Sequence, residues 1–433
     1  MDNLDAARLQ MAFTLMFHIV FACIGMVMPF FMVVSHYKWL KTRDPIYLKL
    51  TKAWQKGVAI FFVTGAVSGT ALSFELGLLW PEFMKHAGPI IGMPFSLEGA
   101  AFFVEALAIG FYLYGWDKIS EQFHWITGVI IGVSGVASGI LVVSANGWMN
   151  APSGFDYVDG KFLNIDPVAA FLNRAWFSQA LHMTLAAFAS TGFAVAGIHA
   201  WQVYKKRNPE LHAKAFHIAI IFGGIAALLQ PISGDISAKD VAERQPIKLA
   251  AMEAHYETGK GVPLFIGGIV DEKNKTVSHK IEIPKALSFL AFGDFDAEVK
   301  GLNDFPQDQI PPVAIPHYAF QIMVSMGGIM ALAAVLYFVS VRRRKWWQNS
   351  KFWLLFAVLA PTGYIALEAG WVVTEVGRQP WIIYHIMRTK DAVTPMPGMV
   401  VSFWFYVLLY TILTLTVIWL MRRQIKVLNR KIV

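Results

Sequence analysis

The stretch QMAFTLMFHIVFACIGMVMPFFMVVSHYK, residues 10–38, carries no Asp, Glu, Lys or Arg before its final lysine. A helix needs about 20 mainly apolar residues to cross the hydrocarbon of a bilayer, so this segment reads as a membrane span. The leader before it has no basic cluster and the apolar run outlasts the core of a secretory signal, so the span is expected to be retained. Eight further stretches meet the same standard, at about 54–80, 95–116, 124–147, 176–203, 215–233, 316–341, 352–376 and 398–421. Composition agrees: 56% of the 433 residues are hydrophobic and 15% charged, against roughly 45–50% and about 25% in soluble domains. The mean hydropathy is +0.49. The expected fold is an all-α integral membrane protein, nine transmembrane helices in a bundle. Cys23 is the single cysteine, which excludes disulfide scaffolds, iron–sulfur clusters, thiolate zinc sites and a covalent c-type haem.

Basic residues give the expected orientation, because cytoplasmic connections collect Lys and Arg. Lys38, Lys41, Arg43, Lys49, Lys52 and Lys56 follow the first span, and Lys205, Lys206, Arg207 and Lys214 the fifth. Arg342, Arg343, Arg344 and Lys345 follow the seventh, and Arg422, Arg423, Lys426, Arg430 and Lys431 the ninth. Residues 117–123 are a nearly neutral inside loop. The alternation predicts an outside N-terminus and a cytoplasmic C-terminus, and it assigns the net charge of +8 to a membrane surface rather than to nucleic acid. The chain divides into helices 1–6 over 1–233, an external connection over 234–315, and helices 7–9 with a cytoplasmic tail over 316–433. The connection holds a helical pattern, IKLAAMEAHYET, and alternating runs such as KTVSHKIEI, so a folded external element is expected rather than a structureless loop.

Titratable groups inside a bilayer are costly and are functional candidates by default. His18 falls in span 1, Glu98 and Glu105 in span 3, His182 in span 5, Glu368 and Glu375 in span 8, and Met323 joins as a soft ligand in span 7. By the expected topology, His18, Glu98, His182 and Met323 lie near the outer starts of their spans and Glu375 at the outer end of its own, so the candidates converge in the outer half of the membrane. A His and a Met can fill both axial positions of an electron-transfer haem, and a lone His or carboxylate leaves one position open for a gas. Imidazole serves iron, copper and zinc alike, so residue type alone does not choose haem. Glu98 and Glu105, seven residues apart, share a helix face about 10 Å apart along the axis, a spacing that suits stepwise proton transfer. His124, at the inner start of span 4, is either an extension of that line or an interfacial anchor.

The strings FHIVF around His18, SLEGAAFFVEA at 96–106, ANGWMNAP at 145–152, KLAAMEAHYET at 248–258 and EAGWVVTEVGRQPW at 368–381 resemble subunit I of the cytochrome bd family of quinol oxidases. The resemblance runs nearly end to end. It implies His182 and Met323 as axial ligands of a low-spin haem b, and His18 and Glu375 as the single axial ligands of two high-spin haems, one b and the other d or a further b. It implies Trp371 between the haems, Arg378 of GRQPW in cofactor binding, Glu98 and Glu105 near the haem pair on its proton path, and Lys248 and Glu253 in quinol binding and oxidation. The five-residue spacing of Lys248 and Glu253 puts them about 140° apart on a regular helix, so they are not an ordinary surface ion pair. Two departures stand out. The family commonly has Arg two residues before the methionine ligand, whereas this chain reads FQIMV with Gln321, a cofactor-site position without the usual charge. The external loop is of the short type.

The implied activity is a terminal respiratory oxidase in a bacterial cytoplasmic membrane. Quinol would be oxidised on the outer side and oxygen reduced to water with cytoplasmic protons, separating charge without a pump. The resemblance also implies a homologous second subunit, and small single-span subunits are candidate companions. An ion transporter using the intramembrane acids is the alternative. Broken helices and an inverted repeat would favour it, and the sequence displays neither. Haem–copper oxidases need several histidines converging on copper, and no two of the twelve here are adjacent.

Overall fold

The computed structural model describes residues 2–342 and 349–430; Arg343, Arg344, Lys345 and Lys431 lie outside the described residues. Among those described, nine helical segments are long and apolar enough to cross a membrane. They are α1 (Asn3–Thr42), α2 (Pro45–Leu79), α3 (Pro81–Tyr114), α4 (Glu121–Asn150), then after the short α5 (Pro167–Phe171) α6 (Trp176–Tyr204) and α7 (Pro209–Arg244). After α8 (Pro246–Met252) and α9 (Ala286–Phe292) come α10 (Ala314–Arg342), the pair α11 (Ser350–Val358) and α12 (Thr362–Val376), the short α13 (Thr389–Ala392) and α14 (Met399–Leu428).

Helix starts follow local chemistry. Asp2, Asp44 and Ser120 accept backbone N–H groups at the openings of α1, α2 and α4, the usual remedy for the unpaired donors of a first turn. Proline opens α2, α3, α7 and α8, where its missing N–H costs nothing.

Most helices outrun the apolar stretches, α1 opening at Asn3 rather than 10 and α2 at Pro45 rather than 54, and three further differences change the reading of the chain. The sixth span was expected to end at 233, yet α7 continues through Arg244. Residues 235–244 are polar but hold no Gly or Pro breaker, and Lys239–Asp235 (2.7 Å) and Arg244–Asp240 tie successive turns at i,i+4; such pairs sustain a helix that hydropathy alone would end. Helix α3 starts at Pro81 rather than near 95, with Pro89 and Pro94 inside it, so Glu98 sits mid-helix and not within its first turns. The eighth span is broken at 359–361, where Pro361 precedes α12. This overturns the expectation of unbroken spans. The break lies where the chain meets α6 most closely: a Cβ on Gly197 would stand 2.5 Å from that of Ala360, and one on Gly363 2.4 Å from the Ser190 Cα.

The helices enclose an apolar core contributed by α1–α4, α6, α7, α10–α12 and α14. Helices α6 and α7 approach until a Cβ on Gly192 would lie 2.4 Å from the Gly223 Cα. At one end of the bundle, Ala7, Leu79, Trp80, Phe83, Trp148 and Ile383 form a second cluster. This end also carries the insert between α7 and α10 and is called the insert end below. The insert is folded, as expected. Its β-strands pair antiparallel as β3 (Gly259–Lys260) with β8 (Glu298–Val299), β4 (Leu264–Ile266) with β7 (Ile281–Ile283), and β5 (Ile269–Asp271) with β6 (Thr276–Ser278). Two small hairpins, β1–β2 (Asp156–Val158 with Lys161–Leu163) and β9–β10 (Trp381–Ile383 with Met387–Arg388), complete the strands described.

Candidate functional site

His18 of α1 and His182 of α6 are oriented by the same device. Ser68 of α2 donates its hydroxyl to the Thr64 carbonyl (3.0 Å), so its oxygen accepts from His18 Nδ1 at 2.9 Å. Ser233 of α7 donates to the Gln230 carbonyl (3.0 Å) and accepts from His182 Nδ1 at 3.0 Å. With Nδ1 carrying the proton, each Nε2 keeps its lone pair, the form that binds a metal. The Gln230 amide nitrogen stands 3.2 Å from His182 Nε2, a donor resting on that lone pair.

Glycines leave room beside these atoms. A Cβ on Gly69 would lie 3.1 Å from His18 Cε1, one on Gly234 3.7 Å from His182 Cε1, and one on Gly370 3.1 Å from Met323 Sδ. Met323 packs against the cluster that includes Ala242 of α7, Ala319 of α10 and Ala369 and Val373 of α12. Trp371 is half-buried against the main core, one turn before Glu375.

Glu375 accepts from Asn146 Nδ2 (2.5 Å) and pairs with Arg378 at i,i+3. Arg378 is 3% exposed, and its Nε and Nη1 have no protein partner among the described residues. A buried guanidinium with idle N–H groups needs an acceptor, and the carboxylates of a haem would provide one. Imidazole lone pairs on Nε2, a thioether, glycine cradles and this guanidinium together fit haem. Among the described residues no three His, Cys, Asp or Glu side chains are grouped to hold a bare ion, in keeping with irons whose other ligands come from a macrocycle.

Three of the quoted strings meet in space. Asn150 of ANGWMNAP donates to Asn146 Oδ1 (3.0 Å), and its own Oδ1 accepts from Lys248 Nζ (3.3 Å) and from Gln245 (3.3 Å). Lys248 also donates to the Thr374 carbonyl (3.0 Å), and its stem lies against Gly377. A polar chain therefore runs Lys248–Asn150–Asn146–Glu375–Arg378, from the insert into the bundle. Burial, then the Arg378 charge, lowers the Lys248 ammonium to about 7, with Glu375 opposing. Glu253 caps the C-terminus of α8 and does not pair with Lys248; both its oxygens are buried without partners, and burial pushes its carboxyl up to about 8.

Glu98 accepts from Ser138 of α4 (2.9 Å), and Glu105 is buried against Gly135 of the same helix, so the two acids do share the face toward α4. His124 is buried and bonds the Tyr112 carbonyl (2.8 Å), while the Tyr112 hydroxyl bonds His36 (2.8 Å). It is a core residue, not a surface anchor. Gln321 does not offer its amide to the bundle. It donates to the Phe265 carbonyl (2.8 Å) and accepts from Gly267 N–H (3.2 Å), fastening the insert to α10.

Sequence reasoning did not single out Asn146, Asn150, Gln245 or Glu75. Glu75 of α2 is 1% exposed and accepts from Gln10 and Thr14 (3.0 Å each). An acid at the end of an apolar run was visible in the sequence; its burial was not.

Comparison with known proteins gives a concordant result. The family described as "Cytochrome bd terminal oxidase subunit I" matches residues 6–428. The putative cytochrome bd menaquinol oxidase subunit I of Bacillus subtilis is 38% identical over 97% of this chain and 96% of its own length. The cytochrome bd ubiquinol oxidase subunit 1 of the same organism is 32% identical over 98% and 94%. The solved bd oxidase of Geobacillus thermodenitrificans superposes with a TM-score of 0.93 at 35% identity, over 98% of each chain. Spans, strings, overall fold and relatives agree: this multi-pass protein of the bacterial cytoplasmic membrane belongs to the cytochrome bd terminal oxidase subunit I family, the haem-dependent quinol oxidases.

Proposed function

We propose that this chain carries all the haem of an electrogenic quinol:oxygen oxidoreductase that moves charge across the membrane without a pump. His182 and Met323 are read as the axial ligands of a low-spin haem b, and His18 and Glu375 as single ligands of two high-spin haems, one b and one d or a further b. The observation that carries the reading is the paired serine device, which keeps the lone pair of both His18 and His182 on Nε2, that of His182 covered only by the Gln230 amide, while glycines hold space beside each ring.

Bound haem supplies the electron transfer and the oxygen reduction; the chain supplies ligands, orientation and proton access. Lys248 of α8 and Glu253 at its C-terminus, both buried, bind quinol, and Glu253 in its ionised form takes a proton from a quinol hydroxyl. Arg378 holds haem carboxylates and pairs with Glu375. Trp371 occupies space between the haems. Gln321, with both amide groups on the insert, holds the quinol loop rather than tuning a haem. Glu105 and Glu98 pass protons for water formation from the end opposite the insert. The insert end faces outward, as the basic connections at the other end require, so quinol protons leave outside while those for water enter from the cytoplasm. Exposed apolar faces, such as Leu332 and Val335 of α10 and Trp404 and Leu408 of α14, meet lipid, the homologous second subunit or a small single-span subunit.

Reduced-minus-oxidised absorption spectra with extracted-haem analysis test the reading. Three haems per copy, one of them low-spin, are expected, and the pigments will show whether the third site holds haem d or b. Purified complex without stoichiometric haem overturns it.

A further inference from the structure

Arg244 ends α7 where the helix meets the insert, and its side chain is 10% exposed. Its Nε donates to Asp240 Oδ1 (2.6 Å), and its Nη2 donates to Oδ2 of the same carboxylate. Asp240 is itself held from α6, where the Ser178 hydroxyl donates to Oδ2 at 2.6 Å. This fork occupies one edge of the guanidinium. Nη1, on the other edge, is buried and has no partner among the described residues. Its N–H groups cost free energy there unless a ligand accepts them.

The two helices that fix this group are the two that hold His182. Ser178 lies one turn from His182 on α6, toward the insert end. Ser233, the partner of His182 Nδ1, precedes Arg244 on α7 by three helical turns, so the two share a face. Helical side chains lean toward the N-terminus of their helix, which carries the Arg244 head back to Asp240. Asp240 stands seven residues beyond Ser233, about 10 Å along the axis. That separation is comparable to the reach of a porphyrin from its iron to its carboxylates. Arg244 and Arg378 both bear on Lys248, and Arg244 also on Tyr384 in the turn of the β9–β10 hairpin. Each haem carries two carboxylates, more in total than Arg378 alone can serve if several haems are bound.

We propose that Arg244 is a haem-binding residue, its Nη1 donating to a carboxylate of the low-spin haem seated on His182. This rests on reading His182 and Met323 as the ligands of that haem. Ser178, Asp240 and Arg244 then form a bracket, set at one end a turn from the ligand histidine and at the other on the edge of the porphyrin. Asp240 aims the guanidinium by the edge the haem does not use. A cation at a haem carboxylate stabilises an added electron and favours the reduced form. Asp240 offsets part of that charge, so Arg244 holds the haem in place as well as raising its potential.

The test uses the purified whole oxidase. Its readouts are the midpoint potential of the low-spin haem and the redox-difference infrared bands of haem labelled with carbon-13 at its carboxylates. Removing Arg244 alone would leave Asp240 as an unpaired buried charge, which shifts a potential by itself. The variant is therefore Asp240→Asn combined with Arg244→Gln, which exchanges one neutral pair for another. The proposal expects the labelled bands to move and the midpoint to fall, by about tenfold in the reduced-to-oxidised ratio or about 59 mV for one electron. Arg244→Lys keeps the charge without the fork and answers the question if the double variant fails to assemble. It should move the bands with little change in potential. Unmoved bands and an unchanged midpoint in the double variant, or unmoved bands in Arg244→Lys, confine Arg244 to holding Asp240 and overturn the proposal. His182→Ala, measured in parallel, separates the two levels. If it abolishes the low-spin signal while the double variant is silent, the inference alone falls. A low-spin signal that survives His182→Ala sinks the ligand reading and the inference with it.

Discussion

Replacing Glu105 by Gln isolates proton transfer from structure. The side chain is buried on α3 against α4, and a Cβ placed on Gly135 would stand 3.5 and 3.6 Å from its two oxygens. A glycine offers no side-chain partner, so an amide of the same shape should fit without disturbing the fold or the haems. Seven residues of helix separate Glu105 from Glu98 by about 10 Å, too far for one direct hop. A relay between them is therefore needed, and Ser138 of α4 already bonds Glu98. An amide cannot take up and release a proton at physiological pH. Loss of a proton-transfer group typically costs 10²-fold or more, and about 100-fold corresponds to roughly 2.7 kcal/mol on the barrier. Glu105→Gln should therefore keep full haem content, accept electrons from quinol at the normal rate, and consume oxygen about 100-fold more slowly. Haem extraction, stopped-flow reduction and an oxygen electrode on one preparation supply the three readouts. Full haem with undiminished oxygen consumption would remove Glu105 from the proton path.

Other perturbations test the remaining parts of the site. His182→Ala or Met323→Leu each removes one axial bond and should abolish the low-spin haem signal while the protein still inserts; an unchanged reduced spectrum refutes the pairing. Burial pushes Glu253 up to about 8, so its ionised fraction grows as pH rises through that value. Quinol kcat/KM should climb over the same range and then level off, and Glu253→Gln should flatten the rise; a limb that survives the substitution belongs to another group. Gly192→Ala sets a methyl carbon 2.4 Å from the Gly223 Cα, which backbone can relieve only by separating α6 from α7. Overpacking of this kind costs about 1–3 kcal/mol and should lower the temperature at which haem is released; an unchanged release curve would show that the crossing is looser than described.

What the sequence determined by itself is what depends on local composition. Apolar runs of sufficient length have no soluble alternative, so spans 10–38 through 398–421 could be read singly and each corresponds to a helical segment. The first half of the pattern IKLAAMEAHYET likewise announced α8, although the helix stops at Met252 and 253–258 are not helical, and the motif strings carried the family. Lengths of helix outside the apolar runs were less legible, because hydropathy reports the solvent of a helix and not its extent. Residues 235–244 are helical through i,i+4 ion pairs, and α3 continues back to Pro81 through two prolines. The tertiary structure alone decided which polar atoms meet. Ser68 reaches His18 and Ser233 reaches His182 across helix interfaces, Asn146 reaches Glu375 from 229 residues away, and Gln321 turns to the insert instead of the bundle. Hydrogen bonds are short and directional, whereas sequence periodicity fixes only the face of a helix. The partner on the opposing face is set by how the helices cross, as at Gly192 and Gly223.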